Sequence, residues 1–159
     1  MSTAVSPTGS VGLVSATSQT EARIGRLEDL VEIRALVFRY REHLDRRDMA
    51  AYAALFAADG IWSGRTGTAR TPGGIRAMLE ERLAPNPPAP GRTTVHFVTE
   101  PVIVLDGDTA TGECLWTLLG RSSDDTPEII LLGHYEDEYV REDGAWKFAK
   151  RTAHVDVPR

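Results

Sequence analysis

An α+β domain, in which helices pack on one face of a curved antiparallel sheet, is the fold class that this sequence predicts. Three observations carry that reading. Apolar residues at helical spacing fill the first half of the chain, β-branched runs fill the second, and strong turn signals separate those runs. A strongly curved sheet closed on one side by helices leaves a conical cavity, a common site for a small apolar ligand.

The elements follow in order. Residues 1–22 begin with a stretch rich in Ser, Thr, Gly and Ala that has no amphipathic period, so they are read as a flexible tail, leaving 23–157 as the domain. From Arg26, the residues Leu27, Leu30, Ile33, Val37, Tyr40 and Leu44 recur at spacings of three and four, which predicts an amphipathic helix ending near Asp45. Asp48 is placed to cap a second, shorter helix with Met49, Tyr52, Ala53 and Phe56 on one face, stopped by Asp59-Gly60. Ile61 to Gly64 reads as a short strand and Arg65 to Thr71 as a turn. Pro72 opens a third helix through Ile75, Met78, Leu79 and Leu83, which the Pro-rich segment at 85–91 ends. Strands are predicted over Thr93–Leu105, interrupted at Pro101, then Thr109–Gly120, Ile129–Val140 and Trp146–His154. Asp106-Gly107-Asp108 and Glu142-Asp143-Gly144 supply turns between them.

Composition narrows the functions. The chain has 159 residues, the size of one domain, and 42% of them are apolar, enough for a buried core. A net charge of -5 argues against nucleic acid as the partner, because phosphate binding needs clustered positive charge. The single cysteine, Cys114, allows no intrachain disulfide and no thiolate-rich metal site, and points to a reducing, cytoplasmic setting. No apolar run approaches the roughly 20 residues of a membrane span. There is no Gly-Lys-Ser/Thr phosphate loop, no G-x-S-x-G elbow, no H-E-x-x-H pair and no dinucleotide-binding G-x-G-x-x-G, so no cofactor is expected. The four His residues lack metal-ligand spacing, so no metal site is expected unless they converge in space.

Several side chains could carry chemistry. Tyr40 and Asp45 lie five positions apart, a rotation of about 140°, so the two share a face only if the helix is ending there. Asp45 reads either as a solvated carboxylate beside Arg46 or Arg47 or as a partner for another group. His96 lies in a run of apolar and β-branched residues, on the face of Thr94 and Val98, where an imidazole needs either a satisfying partner or a polar cavity. Imidazole serves as both acid and base near neutrality. In the run from Gly133 to Tyr139, alternation puts Tyr135, Asp137 and Tyr139 on one face and His134, Glu136 and Glu138 on the other. The acidic set suits water, which leaves Tyr135 for the interior. Trp62, Trp116 and Phe56 are read as core or cavity wall.

Taken together, Tyr40-x-x-x-x-Asp45, the segment Asp48-Met49-x-x-Tyr52-x-x-x-Phe56-x-x-Asp59-Gly60, the strand His96, the run Val102 to Ala110, and Gly133 to Phe148 resemble the SnoaL-like branch of the nuclear transport factor 2-like superfamily. The resemblance spans about Arg26 to His154. It implies a cone-shaped, cystatin-like roll packed by three N-terminal helices, and homo-oligomers, either dimers or trimers. Scytalone dehydratase and the bile-acid dehydratase are similar in the helix-end Asp and the strand His. That likeness implies that Asp45 accepts a hydrogen bond from His96, that His96 moves protons, and that Tyr40 pairs with Asp45 in catalysis. The chain departs from those enzymes where Trp62 and Ser63 replace a further Tyr, where Leu118 and Leu119 stand in place of a second His, and where Tyr135 replaces a late Asn.

The function expected from these residues is a cofactor-independent dehydratase, isomerase or cyclase acting on a small apolar cyclic or polyketide-like substrate. His96 would be the base and then the acid, Asp45 would orient it, and Tyr40 would donate to the substrate oxygen. Trp62, Trp116, Tyr135 and Phe56 would line the substrate pocket. The alternative is a non-catalytic ligand-binding or accessory module of the same fold, in which Asp45 and His96 form only a structural hydrogen bond.

Overall fold

The computed structural model describes residues 10–83, 94–122 and 124–157, with side chains from residue 16 onward. Three helices, α1 (Ser10–Arg46), α2 (Met49–Ala53) and α3 (Thr71–Leu83), pack on one seven-stranded sheet. Its strands are β1 (Phe56–Gly64), β2 (Gly67–Arg70), β3 (Val95–Val98), β4 (Val102–Asp106), β5 (Thr109–Arg121), β6 (Pro127–Glu142) and β7 (Ala145–Val157). They are ordered β2-β1-β7-β6-β5-β3, with β4 also paired to β5. No helix among the described residues is long and apolar enough to cross a membrane.

The helical period marks the buried face of α1 through Ile33, Val37 and Tyr40, with Leu36 joining them. Two details of that prediction change. The helix begins at Ser10 rather than Arg26, because the Ala, Gln, Glu and Arg residues ahead of the packed face are good helix formers and no Pro interrupts them. Side chains 16–24 are exposed, and Leu27 is 62% exposed, so this first part of α1 overhangs the domain instead of packing on it. The helix stops where Arg47 turns left-handed at φ 59. Asp48 caps α2 as expected, its side chain accepting from Ala51 N at 3.0 Å.

Phe56 belongs to β1 and not to α2. Its neighbour Leu55 accepts from Phe148 N at 2.9 Å, which draws the chain into a parallel pairing with β7. The sheet therefore carries one parallel pair in an otherwise antiparallel set. Asp59-Gly60 lies within the strand, and a Cβ at residue 60 would press on Ala57 O and Phe56 Cβ, both at 2.9 Å. Part of the predicted turn at Arg65–Thr71 is instead β2, the second arm of a hairpin with β1. Pro101 divides the next predicted strand into β3 and β4, which lie end to end along β5. The Pro-rich stop at 85–91 lies outside the described residues.

Sheet curvature has a local cause in β7. Tyr139 pairs with Phe148 but Glu138 pairs with Lys150, so Ala149 is an extra residue in a β-bulge. The bulge resets alternation, and Trp146, Phe148 and then Arg151 all point to the helix side. Opposite them, Tyr135, Asp137 and Tyr139 of β6 are buried while Glu136 and Glu138 are exposed, as strand alternation predicted.

Candidate active site

The last turns of α1 and the short strand β3 build the site. His96 pairs across the sheet with Leu118 of β5, and Leu118 and Val98 both pack on the core. Cross-strand partners share a face, so the imidazole stands on the inner, helix-covered side. There its Nδ1 lies 2.6 Å from Asp45 Oδ1. The backbone N–H of His96 also donates to the same carboxylate, at 3.2 Å to Oδ1 and 3.3 Å to Oδ2.

Asp45 is 1% exposed, so it is not the solvated carboxylate of the bland sequence reading. It sits one residue from the end of α1, where the helix carbonyls disfavour negative charge. Two donors, the N–H groups of His96, offset that, together with the charge of Arg41, whose Nη1 is 3.7 Å from Asp45 Oδ2. A carboxylate only accepts, so the Nδ1 of His96 carries the hydrogen and Nε2 keeps its lone pair in the neutral ring.

Tyr40 is in a second group. Its hydroxyl accepts from Trp62 Nε1 at 2.9 Å, and its ring meets Tyr135 edge-on at 5.6 Å and Phe56 at 6.4 Å. Trp116 stacks on Tyr135 at 5.8 Å and donates from Nε1 to His134 O. Thus Tyr40, Trp62, Tyr135, Trp116 and Phe56 form one connected aromatic set, while Asp45 and His96 form a separate hydrogen-bonded pair. Phe56 is ringed by Tyr40, Tyr52 and Phe148.

One residue central to this set was not singled out from the sequence. Arg151 is fully buried, and its Nε and Nη2 donate to the two oxygens of Asp137 at 2.7 and 2.6 Å. Tyr139 donates a further bond to Asp137 Oδ2 at 2.7 Å. The guanidinium also lies over the rings of Tyr40 and Tyr135, each 4.1 Å away, and Phe148, 4.3 Å away. Burial alone would lower the Arg151 pKa, but the facing Asp137 outweighs it and holds the guanidinium charged. Arg151 Nη1 has no hydrogen-bond partner among the described residues. The inward acid Asp137 was the available signal, because a buried carboxylate requires a cation. The bulge at Ala149 hid which residue of β7 supplies it.

Burial pushes the hydroxyl of Tyr135 well above the ordinary phenol range, reinforced by Tyr40 and opposed by Arg151. Tyr135 is therefore a hydrogen-bond donor near neutral pH and not a base. Cys114, also buried, is pushed up to about 11, chiefly by desolvation, so it is no nucleophile at neutral pH.

Comparison with known proteins agrees with this architecture. A family model described as the SnoaL-like domain matches residues 25–152. No curated protein matches the chain. Among solved structures, an NTF2-like protein with a cystatin-like fold from Novosphingobium aromaticivorans is similar at TM-score 0.77 and 24% identity, covering 89% of this chain and 91% of that one. A type 2 hexachlorocyclohexane dehydrochlorinase, LinA, is similar at TM-score 0.68 and 24% identity, over 84% and 89% of the two chains. A candidate scytalone dehydratase from Novosphingobium aromaticivorans is similar at TM-score 0.68 and 25% identity, over 83% and 87%.

Proposed function

The chain belongs to the SnoaL-like domain family, and from that premise we propose that it is a cofactor-independent lyase or isomerase whose proton-transferring group is His96. One observation carries the reading: a nearly inaccessible carboxylate, Asp45, holds His96 Nδ1 at 2.6 Å on the inner side of the sheet. That bond fixes the tautomer, presents Nε2 as the base, and stabilises the imidazolium once a proton is taken. The reaction class is removal of a proton α to a carbonyl, or beside a leaving hydroxyl, with His96 returning the proton later. Such catalysis contributes roughly 10²- to 10⁴-fold.

Tyr40, Tyr135 and Arg151 supply the electrostatic side of the proposal. Negative charge that develops on a substrate oxygen meets phenol donors backed by a buried guanidinium, which needs no reorganisation during the reaction. Trp62, Trp116 and Phe56 give the surroundings their apolar character and select a cyclic or polyketide-like substrate. The fold shared with a dehydrochlorinase and a candidate dehydratase supports elimination over other proton-transfer outcomes.

The proposal extends to self-association. Val102, Val104 and Leu115 are exposed on the side of the sheet away from the helices, around a groove of about 800 Å³ that also involves Glu136, Glu138 and Lys150. An apolar patch of this kind suits a second copy of the chain.

The test uses a panel of cyclic ketones and β-hydroxy ketones in deuterated water, with α-deuteration and loss of the hydroxyl followed by NMR. Wild-type protein is expected to exchange or eliminate on at least one member. His96→Ala and Asp45→Asn should each slow that reaction by about 10²- to 10⁴-fold with the fold retained by circular dichroism. Equal rates in wild type and both variants remove the catalytic roles and favour a ligand-holding module.

A further inference from the structure

The outer face of the sheet brings two of the four dispersed histidines together. His134 of β6 and His154 of β7 are direct cross-strand partners, and their rings stack at 4.5 Å with 11° between planes. Glu136, two residues along β6, projects from the same face, and its Oε2 lies 3.1 Å from His154 Nε2. Ligand atoms of His134, Glu136 and His154 all lie within 4.8 Å of one another. None of these residues takes part in the proton-transfer proposal, which concerns the opposite face.

From this convergence we infer that His134, Glu136 and His154 form a binding site for a late first-row divalent cation, with Zn²⁺ as the representative. Two imidazoles and a carboxylate are borderline nitrogen and oxygen donors that suit Zn²⁺, Cu²⁺ or Ni²⁺ rather than Mg²⁺ or Ca²⁺. In a tetrahedral site with bonds of 2.0–2.2 Å, ligand atoms stand about 3.4 Å apart. The present spread closes by side-chain rotation, because the side chains of Glu136 and His154 are both exposed and their mutual bond lies at the surface. Between His154 Nε2 and Glu136 Oε2, the cation takes the place of the hydrogen they now share. Three protein ligands leave a fourth position for water.

Two further features of the face agree. Asp156 accepts from His134 Nδ1 at 2.8 Å, which leaves Nε2 unprotonated in the neutral ring and available as a ligand; carboxylates commonly support metal-binding histidines this way. A bulge at Leu132/Gly133 puts Asp156 within that reach. In addition, Glu136 stands directly across from Glu113 of β5, an opposed like-charge pair that is unfavourable in a sheet. A bound dication relieves that repulsion.

The test is titration of tag-free, chelator-treated protein with ZnCl₂ by calorimetry, with the imidazole resonances followed by NMR. One Zn²⁺ per chain is expected, with shifts confined to His134 and His154 and none at His43 or His96. His134→Ala, His154→Ala and Glu136→Gln should each weaken binding by more than a hundredfold, and Asp156→Asn by about 10- to 100-fold, while His43→Ala binds like wild type. Absence of saturable binding, or equal binding by wild type and the three ligand variants, overturns the assignment. Because wild type itself is titrated, the result does not depend on whether any variant folds.

Discussion

Asp137 and Arg151 show how a single pair of residues conditions a whole interior. Both are buried, and the pair is held by two direct bonds and by Tyr139. Removing one partner of such a pair strands a charge in a low-dielectric interior, which costs about 3–5 kcal/mol. Asp137→Asn is therefore expected to lower the unfolding free energy by that amount in urea titrations, with the loss spreading to the Tyr40 and Tyr135 rings that the guanidinium faces. Cys114 offers an independent check of burial. Its thiol is pushed up to about 11, so it should resist a thiol reagent at pH 8 in the native protein and react at once in denaturant. The residue chemistry of the dyad was legible in the sequence only as a likeness, because Asp45 and His96 are 51 positions apart and nothing local announces their contact. Tyr135 was placed inward by alternation together with the acidic residues Glu136 and Glu138 on the opposite face. Arg151 was missed because an inserted residue breaks the period of two on which that inference depends.

Elements were legible in proportion to how regular they are. Periodicity located the packed parts of α1 and α3 and all of the long strands β5, β6 and β7. It failed at the joints, where tertiary pairing overrides local preference: Phe56 and Asp59-Gly60 follow β7 rather than their own helix and turn signals. The close approach at Gly133 belongs to this scale. A Cβ there would collide with the backbone carbonyl of His154 on β7 and meet the Trp116 ring at 2.5 Å, in the middle of the β5–β6–β7 pairing. Gly133→Ala should thus force β6 and β7 apart, displace Trp116 and destabilise the sheet by at least about 1–3 kcal/mol, seen as a lower urea midpoint and a changed tryptophan emission. A curved sheet was expected, but the places where it bends were not legible, since they are set by bulges that no composition reveals.

At the scale of the whole molecule, the long helix is tied to the far end of the sheet by one carboxylate. Asp29 of α1 accepts from Trp146 Nε1 of β7 at 3.0 Å and from Arg141 of β6, which also reaches Asp108. Partial burial would raise the Asp29 pKa, but the Trp146 and Arg141 bonds outweigh it and hold the carboxyl below its ordinary value. A group with a depressed folded pKa stabilises the fold above its unfolded pKa and loses that contribution as the pH falls through the folded value. The stability difference between wild type and Asp29→Asn is expected to be about 1 kcal/mol or less at pH 7, given solvent screening. It should shrink as the pH falls below about 4, measured as paired urea titrations across that range.

The extra residue at Ala149 has a consequence for how this architecture changes over time. A chain lacking it would keep Phe148 opposite Tyr139, Lys150 opposite Glu138 and Arg151 opposite Asp137. Every neighbour would be conserved, yet the ribbon would straighten and the sheet would meet the helices at a different angle. The packing of the helices on the sheet is thus written partly in the length of one strand, so that a one-codon deletion would reshape the interior while leaving the surrounding chemistry untouched.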